Sequence, residues 1–402
     1  MSYDVAAVRK RFPALAEGTA YFDGPGGTQV PDAVIEAITA PLRDGVSNRA
    51  TVTAAERRAE DGVHAARSAM ADLLGAEPGG VVFGRSMTQL TYDFARTIAR
   101  QWSPGDEIVL SSLDHDANFR PWVQAAESAG VWVRVAEFTV SSGVLPTEAI
   151  TGLLGPRTRL VAVTGASNLL GSRPDIPAIT AAARESGALS YVDGVHLTPH
   201  ARIDLRALGA DFYACSPYKF LGPHLGALAA DPALLGTLRP DKLLPASDAV
   251  PERFEFGTLP YELLAGTTAA VDFLAGLDST AAGDRRTRLL ASMIALGAHE
   301  EALARRLEDG LRAQGVRCHG DPERERTPTV LFEVDGVPAE RVYTELAGRG
   351  VNAPSGSFYA YEPARRLGLG EQGAVRAGIA PYTDESDVDR LLDGIAELRS
   401  RR

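Results

Sequence analysis

Lysine is nearly absent from this chain of 402 residues: only Lys10, Lys219 and Lys242 occur, and arginine supplies almost all the other positive charge. Cysteine is scarcer still. Cys215 and Cys318 stand alone, which excludes a disulfide framework. No run of about 18 apolar residues occurs, so nothing is expected to span a bilayer. The opening residues interleave charge with short apolar patches and lack the apolar centre of a secretory leader, so a cytoplasmic protein is expected. Positive charge is not in excess either. With 41 basic and 52 acidic residues the net charge is −11, which argues against a general nucleic-acid or membrane-surface binder. No internal repeat or low-complexity segment is present.

What remains is an ordinary globular composition, 45% apolar and 23% charged. The length exceeds what one core comfortably fills, so one large and one smaller domain are expected. Apolar runs at 81–84, 107–111, 131–138, 159–164, 189–192, 211–215 and 226–230 read as strands. Between them lie helical stretches: Leu90, Phe94, Ile98 and Trp102 recur every fourth residue, and 121–128, 147–154 and 176–186 follow suit. Alternation of this kind predicts an α/β fold with a mostly parallel, seven-stranded type of sheet covered by helices on both faces. Past residue 275 the pattern changes. A charged helical stretch over 280–310 precedes strands at 329–334 and 375–379 and helices at 340–348 and 386–398, a smaller α+β C-terminal domain. The expected division is an N-terminal arm over 1–20 packing on the small domain, a large domain over 21–275, and a small domain over 276–402.

Scarcity makes a lysine in a marked setting informative. Lys219 stands in Ser216-Pro217-Tyr218-Lys219-Phe220-Leu221-Gly222. Upstream, the apolar run Leu189-Ser190-Tyr191-Val192 ends in Asp193-Gly194. An Asp at a strand end and a Lys in a later strand-loop are the two anchors that pyridoxal phosphate needs. The amine condenses with the cofactor's aldehyde, and the carboxylate keeps the pyridine nitrogen protonated. Gly84-Arg85-Ser86-Met87-Thr88-Gln89 joins a strand to a helix. The unpaired N–H groups of a helix start, with the Thr88 hydroxyl, suit a phosphate; alone, such residues are an ordinary helix cap.

Taken together and in order, these motifs resemble the fold-type I pyridoxal-phosphate enzymes, in the class V aminotransferase branch, and within it the cysteine desulfurase-like and selenocysteine lyase-like group. The likeness runs from Tyr21-Phe22-Asp23 to the last helix. It implies Lys219 as the Schiff-base lysine, Asp193 as the partner of the pyridine nitrogen, and Met87, Thr88, Ser216 and Tyr218 around the phosphate. His115, in Asp114-His115-Asp116-Ala117-Asn118, matches the histidine stacked on the cofactor ring, where an imidazole can also move protons. Asn168 and His196 match residues facing the cofactor's phenolic oxygen, Asn168 lying also near the substrate carboxylate. His200 reads as structural. Thr258, in Phe254-Glu255-Phe256-Gly257-Thr258, matches a residue that reaches the neighbouring subunit's phosphate, which implies a homodimer with shared active sites. Arg376 matches the arginine that grips the substrate carboxylate. No metal ligand set is expected.

One departure stands out. Desulfurases of this type carry a nucleophilic cysteine on a loop before the arginine strand. The corresponding stretch, Ala353-Pro354-Ser355-Gly356-Ser357-Phe358-Tyr359-Ala360, has none. Cys215 lies on an expected buried strand, where a thiol is inert. Cys318 has Arg317 and His319 beside it, which could depress its pKa. Tyr359 or Ser357 is expected to touch the substrate instead. The likeness favours an enzyme that cleaves a carbon–sulfur (or carbon–selenium) bond of an amino acid by β-elimination. An aminotransferase or amino-acid epimerase is the alternative. A non-catalytic scaffold is disfavoured, since Lys219, Asp193, His115 and Arg376 are all kept.

Overall fold

The structure is a computed structural model that describes residues 3–401. A short strand, β1 (Ala20–Tyr21), precedes seven that make one sheet: β2 (Val81–Gly84), β3 (Glu107–Ser111), β4 (Trp132–Ala136), β5 (Thr158–Thr164), β6 (Leu189–Asp193), β7 (Phe212–Cys215) and β8 (Gly226–Ala230). Their spatial order is β2-β8-β7-β6-β5-β3-β4. All neighbours run parallel except β8, which is antiparallel to both β7 and β2. The fold is therefore the α/β fold read from the alternation, with one reversed strand inside the sheet.

Successive residues of these strands feed opposite faces, as a pleated strand requires. Val81, Phe83, Val109, Val161, Val163, Val192 and Tyr213 enter one core, with Met70 and Leu264 from covering helices. Val82, Ile108, Leu110, Leu160, Ala162, Tyr191 and Phe212 enter the other, against Leu90, Phe94 and Trp122. Burial on both faces explains why the strands read as unbroken apolar runs.

The later half forms β9 (Arg317–Cys318), β10 (Thr329–Glu333), β11 (Val351–Asn352), β12 (Ser355–Gly356) and β13 (Ala374–Gly378). Four of them make an antiparallel sheet in the order β12-β13-β10-β9, and β11 pairs in parallel with β1. Helices Ala339–Ala347 and Glu385–Ser400 contribute Val342, Leu346, Leu391 and Ile395 to the core beneath this sheet. The expected helix over 280–310 is Arg285–Ala313. Near the start of the chain, Arg9 pairs with Asp384 and Asp387, and the Tyr3 hydroxyl donates to the Pro381 carbonyl.

One buried ion pair ties the outer helix Ala54–Leu74 to the segment that carries Thr258. Arg67 meets the Glu255 carboxylate at 2.8 and 2.9 Å, with both side chains almost wholly buried, and the Phe83 N–H donates to Glu255 Oε1 at 2.8 Å. Removing Glu255 leaves the buried Arg67 with only the more exposed Glu252, at 3.3 Å, as its counter-charge. Glu255→Ala should cost about 3–5 kcal/mol, read as a lowered urea midpoint, whereas an exposed pair such as Arg43–Glu36 should cost under about 1 kcal/mol.

Candidate active site

Every residue that lines one enclosed space over the sheet follows the carboxyl end of a strand, where open α/β sheets place their ligands. Met87 and Thr88 follow β2; His115 and Ala117 follow β3; Thr164, Ala166 and Asn168 close β5; Asp193, Val195 and His196 close β6; Ser216, Tyr218 and Lys219 follow β7. The cavity holds about 400 Å³ of empty space. Close backbone approach makes it possible. A Cβ at Gly226 would lie 2.3 Å from the Ser86 carbonyl carbon, and one at Gly194 would fall 2.0 Å from the Tyr213 ring.

Lys219 is buried, and its amine donates to the Pro25 carbonyl. Burial, with the Arg376 guanidinium next, pulls its pKa down to about 7, partly offset by Asp193. Asp193 Oδ1 accepts from the Val195 N–H at 2.9 Å. Burial lifts the Asp193 carboxyl to about 6, and the Val195 hydrogen bond and Lys219 oppose that rise. His115 is half-buried, and desolvation, Lys219 and Arg376 lower it to about 3. Its Nδ1 accepts from the Ala117 N–H at 3.0 Å, so the neutral ring carries its proton on Nε2.

His196 Nε2 lies 2.9 Å from Thr327 Oγ1 and 3.0 Å from Thr329 Oγ1. Its Nδ1 and the Asn168 Oδ1 are buried without a hydrogen-bond partner among the described residues. Two orphaned polar atoms, a buried amine and a buried carboxylate in one cavity fit a polar, aldehyde-bearing aromatic cofactor. Helix Met87–Ala99 starts at the cavity, but its cap is Ser86, whose Oγ accepts from the Gln89 N–H at 3.1 Å. Thr88 lines the cavity with its hydroxyl uncommitted to that cap.

Three expected site residues lie outside this space. Arg376, on β13, is buried and donates from Nη1 to the Asn168 carbonyl at 2.9 Å, so it abuts the cavity through Asn168. Tyr359 is exposed and stacks on His115 at 5.8 Å. Thr258 is exposed and lines no part of its own chain's cavity. Cys318 corrects an expectation. Burial pushes its thiol up to about 11 and outweighs the nearby Arg312, while His319 is engaged by Glu333 at 2.6 Å. A thiol held protonated is a poor nucleophile. Burial also pushes the Cys215 thiol up.

Sequence reasoning passed over three features. The turn Asp23–Thr28 supplies the Pro25 carbonyl, and the Thr28 N–H donates to the Tyr218 carbonyl at 3.0 Å. Asp114 is fully buried, accepts from Asn118 Nδ2 at 2.7 Å, and is raised to about 8 by burial. Phe358 and Tyr359 both have left-handed backbone, with φ of 54° and 57°. That conformation costs a bulky residue about 1–3 kcal/mol. Surrounding bonds hold it: Asn168 Nδ2 donates to the Phe358 carbonyl at 2.9 Å, and the Asp116 N–H to the Tyr359 carbonyl at 2.8 Å. The Arg376 guanidinium lies 3.8 Å from the Phe358 ring centroid. The stretch Gly24-Pro25-Gly26-Gly27 and the acidic pair flanking His115 were the signals in sequence.

Among the described residues no cluster of three or more histidine, cysteine or carboxylate groups is placed to hold a metal, and no helix is long and apolar enough to cross a membrane. The model of the Aminotransferase class-V family matches residues 20–391. An uncharacterized protein of Mycobacterium tuberculosis is 35% identical over 99% of this chain and 100% of its own. A probable cysteine desulfurase of Pseudomonas aeruginosa is 35% identical over 97% of this chain and 98% of its own. The crystal structure of the cysteine desulfurase CsdA from Escherichia coli superposes with a TM-score of 0.86 at 27% identity, covering all of both chains. A match across nearly the whole chain, on a cavity with these groups, makes the chain a member of the class-V aminotransferase family, a pyridoxal-phosphate-dependent enzyme of its cysteine desulfurase-like group.

Proposed function

We propose that the enzyme breaks the bond between the β-carbon and sulfur of an amino acid by elimination, without a protein thiol as acceptor. The observation that carries this reading is the loop Ala353–Ala360: it borders Arg376 and His115 and contains no sulfur, while both cysteines of the chain have thiols held protonated by burial.

Lys219 would anchor the cofactor, Asp193 would face its pyridine nitrogen, and Met87, Thr88, Ser216 and Tyr218 would surround its phosphate. Asn168 and His196, with their orphaned atoms, would meet its phenolic oxygen, and Thr258 would complete the phosphate site of a partner subunit in a homodimer. Bound there, pyridoxal phosphate supplies an aromatic ring that accepts the electron pair left when the α C–H bond breaks. The chain's own part is proton handling and orientation. Lys219, with a pKa near 7, can take the α-proton as a neutral amine and return it near neutral pH. His115 has no free basic nitrogen on its Nδ1 side, so it suits stacking and donation from Nε2 better than abstraction. Arg376 has an unpartnered buried Nε beside its terminal nitrogens, an edge suited to a carboxylate. The sulfur then leaves with the bonding pair and takes up a proton. The division into an arm, a large domain to residue 275 and a small domain beyond it belongs to the same proposal. Its support is that the large sheet lies wholly before that point and the four-stranded one after it.

The test is a cysteine-free enzyme. Cys215→Ala with Cys318→Ser should keep sulfide and pyruvate release from cysteine within about threefold, as such substitutions away from the reacting atoms cost little. A loss beyond about 100-fold with the cofactor still bound, or keto-acid formation only with an added amino acceptor, would replace this reading.

A further inference from the structure

We propose that the preferred substrates carry an aromatic group on the sulfur attached to the β-carbon, and that this group lies in a second, aromatic-walled space outside Tyr359. The proposal rests on the elimination reading above and adds a substrate class to it.

Beside the cofactor cavity lies a vestibule of about 900 Å³, walled by Phe358, Tyr359 and Tyr361 with Ser357, Asp116 and Arg120 at its rim. The two spaces meet across one layer of atoms. His115 lines the inner one and stacks on Tyr359; Asn168 lines the inner one and bonds to the Phe358 carbonyl. A substrate held at its carboxylate by Arg376 therefore has only the 358–359 dipeptide between its β-substituent and the vestibule.

Size decides against a bare thiol as the intended occupant. A single sulfur atom would leave the vestibule unfilled and two tyrosine rings facing water: Tyr359 is 79% and Tyr361 57% exposed. Exposed aromatic side chains around a concave site are the composition that receives a flat apolar ligand by stacking. Charge selects in the same direction. Arg120 is already engaged by Asp116 at 3.1 Å and faces Glu362 at 3.9 Å, so the rim offers no free cation to an acidic substituent. Phe358 and Tyr359, both with left-handed backbone, stand between the two spaces, and such strain marks a functional position.

The reaction balances without another reagent. The α C–H and β C–S bonds of an S-aryl cysteine break, one water is consumed, and an aromatic thiol, pyruvate and ammonium leave.

The test uses the cofactor-loaded enzyme and measures binding by calorimetry, so that it does not depend on turnover. The ligands are 2-amino-4-phenylbutanoate, in which a methylene stands for the sulfur, and 2-aminobutanoate, which lacks the ring. The phenyl compound should bind tighter by on the order of 10-fold or more. That ratio should fall by several-fold in Tyr361→Ala and in Tyr359→Ala, and persist in Tyr359→Phe. Equal affinities for the two ligands, or a ratio unmoved by both alanine variants, would overturn the vestibule and leave the elimination reading standing; a second copy or a protein acceptor would then be what covers these rings. Failure of the enzyme to bind either amino acid would overturn both. In turnover, S-phenylcysteine should exceed cysteine in kcat/KM by a similar factor, and a preference for cysteine would count against the proposal.

Discussion

Lys219→Ala will lower turnover by about 10⁴-fold and abolish the visible absorbance of the cofactor-loaded protein. Both effects have one cause. Among the described residues the amine is the only lysine side chain that lines the cavity, and it is surrounded by Asp193, Tyr218 and the Pro25 carbonyl. Alanine removes the group that would hold the cofactor and the base that would take the α-proton, and no neighbour replaces it: His115 is held neutral with its Nδ1 occupied. The same amine gives a pH dependence of definite sign. Burial lowers its pKa from the ordinary lysine range to about 7, so it is protonated and unreactive below that value and a free nucleophile above it. Capture of added pyridoxal phosphate by cofactor-free protein, followed by absorbance, should therefore accelerate from pH 6 to pH 8 and then level. A rate still rising toward pH 10 would mean that the amine is not depressed, and retention of the absorbance band in the alanine variant would remove Lys219 from its role.

The second large effect is expected at Arg376. Arg376→Leu should raise KM for amino-acid substrates by about 100-fold, the size of a lost charge-assisted hydrogen-bond pair. An amino-acid amide, which has no carboxylate, should be affected far less. The setting of the guanidinium suits the proposed role. It is buried, its Nη1 is committed to the Asn168 carbonyl, and its face rests on the Phe358 ring, leaving Nε free. Burial pulls its pKa down to about 9, with Asp23 opposing, so it remains cationic at neutral pH. Arg376→Lys should recover little, because a point charge cannot make two parallel bonds. Loss of discrimination between acid and amide, rather than loss of folding, is the measurement that matters. Equal losses on both substrates would make Arg376 a structural residue.

Much of this was readable from the chain. Strand runs buried on both faces announce themselves, and an Asp at the end of one with a lone Lys after another is a specific pairing. Other parts were hidden for physical reasons. Helix Ala54–Leu74 buries a stripe in which Ala59, Ala66, Ala69, Ala71 and even Arg67 stand among the larger apolar residues, so its hydrophobic period is faint. The reversed strand β8 carries the same apolar composition as its parallel neighbours, since direction leaves no trace in a fully buried strand. The turn Asp23–Thr28 looks like a flexible glycine segment until its contacts across nearly 200 positions are seen. Cys318 misled because basic neighbours in sequence point elsewhere in space, and burial governs its thiol.

That same early turn has a consequence for biosynthesis. Pro25 touches Lys219, Phe22 accepts from the Gly378 N–H at 2.8 Å, and Asp23 bridges to Gly378 near the far end of the chain. A ribosome releases these partners hundreds of codons apart. The nascent large sheet can therefore form while the catalytic pocket still lacks a wall, and that wall closes only after β13 has emerged. Shortening the chain at its start past residue 28 would open the site and also strip Phe12 and Phe22 from the two cores, so activity and stability should fall together.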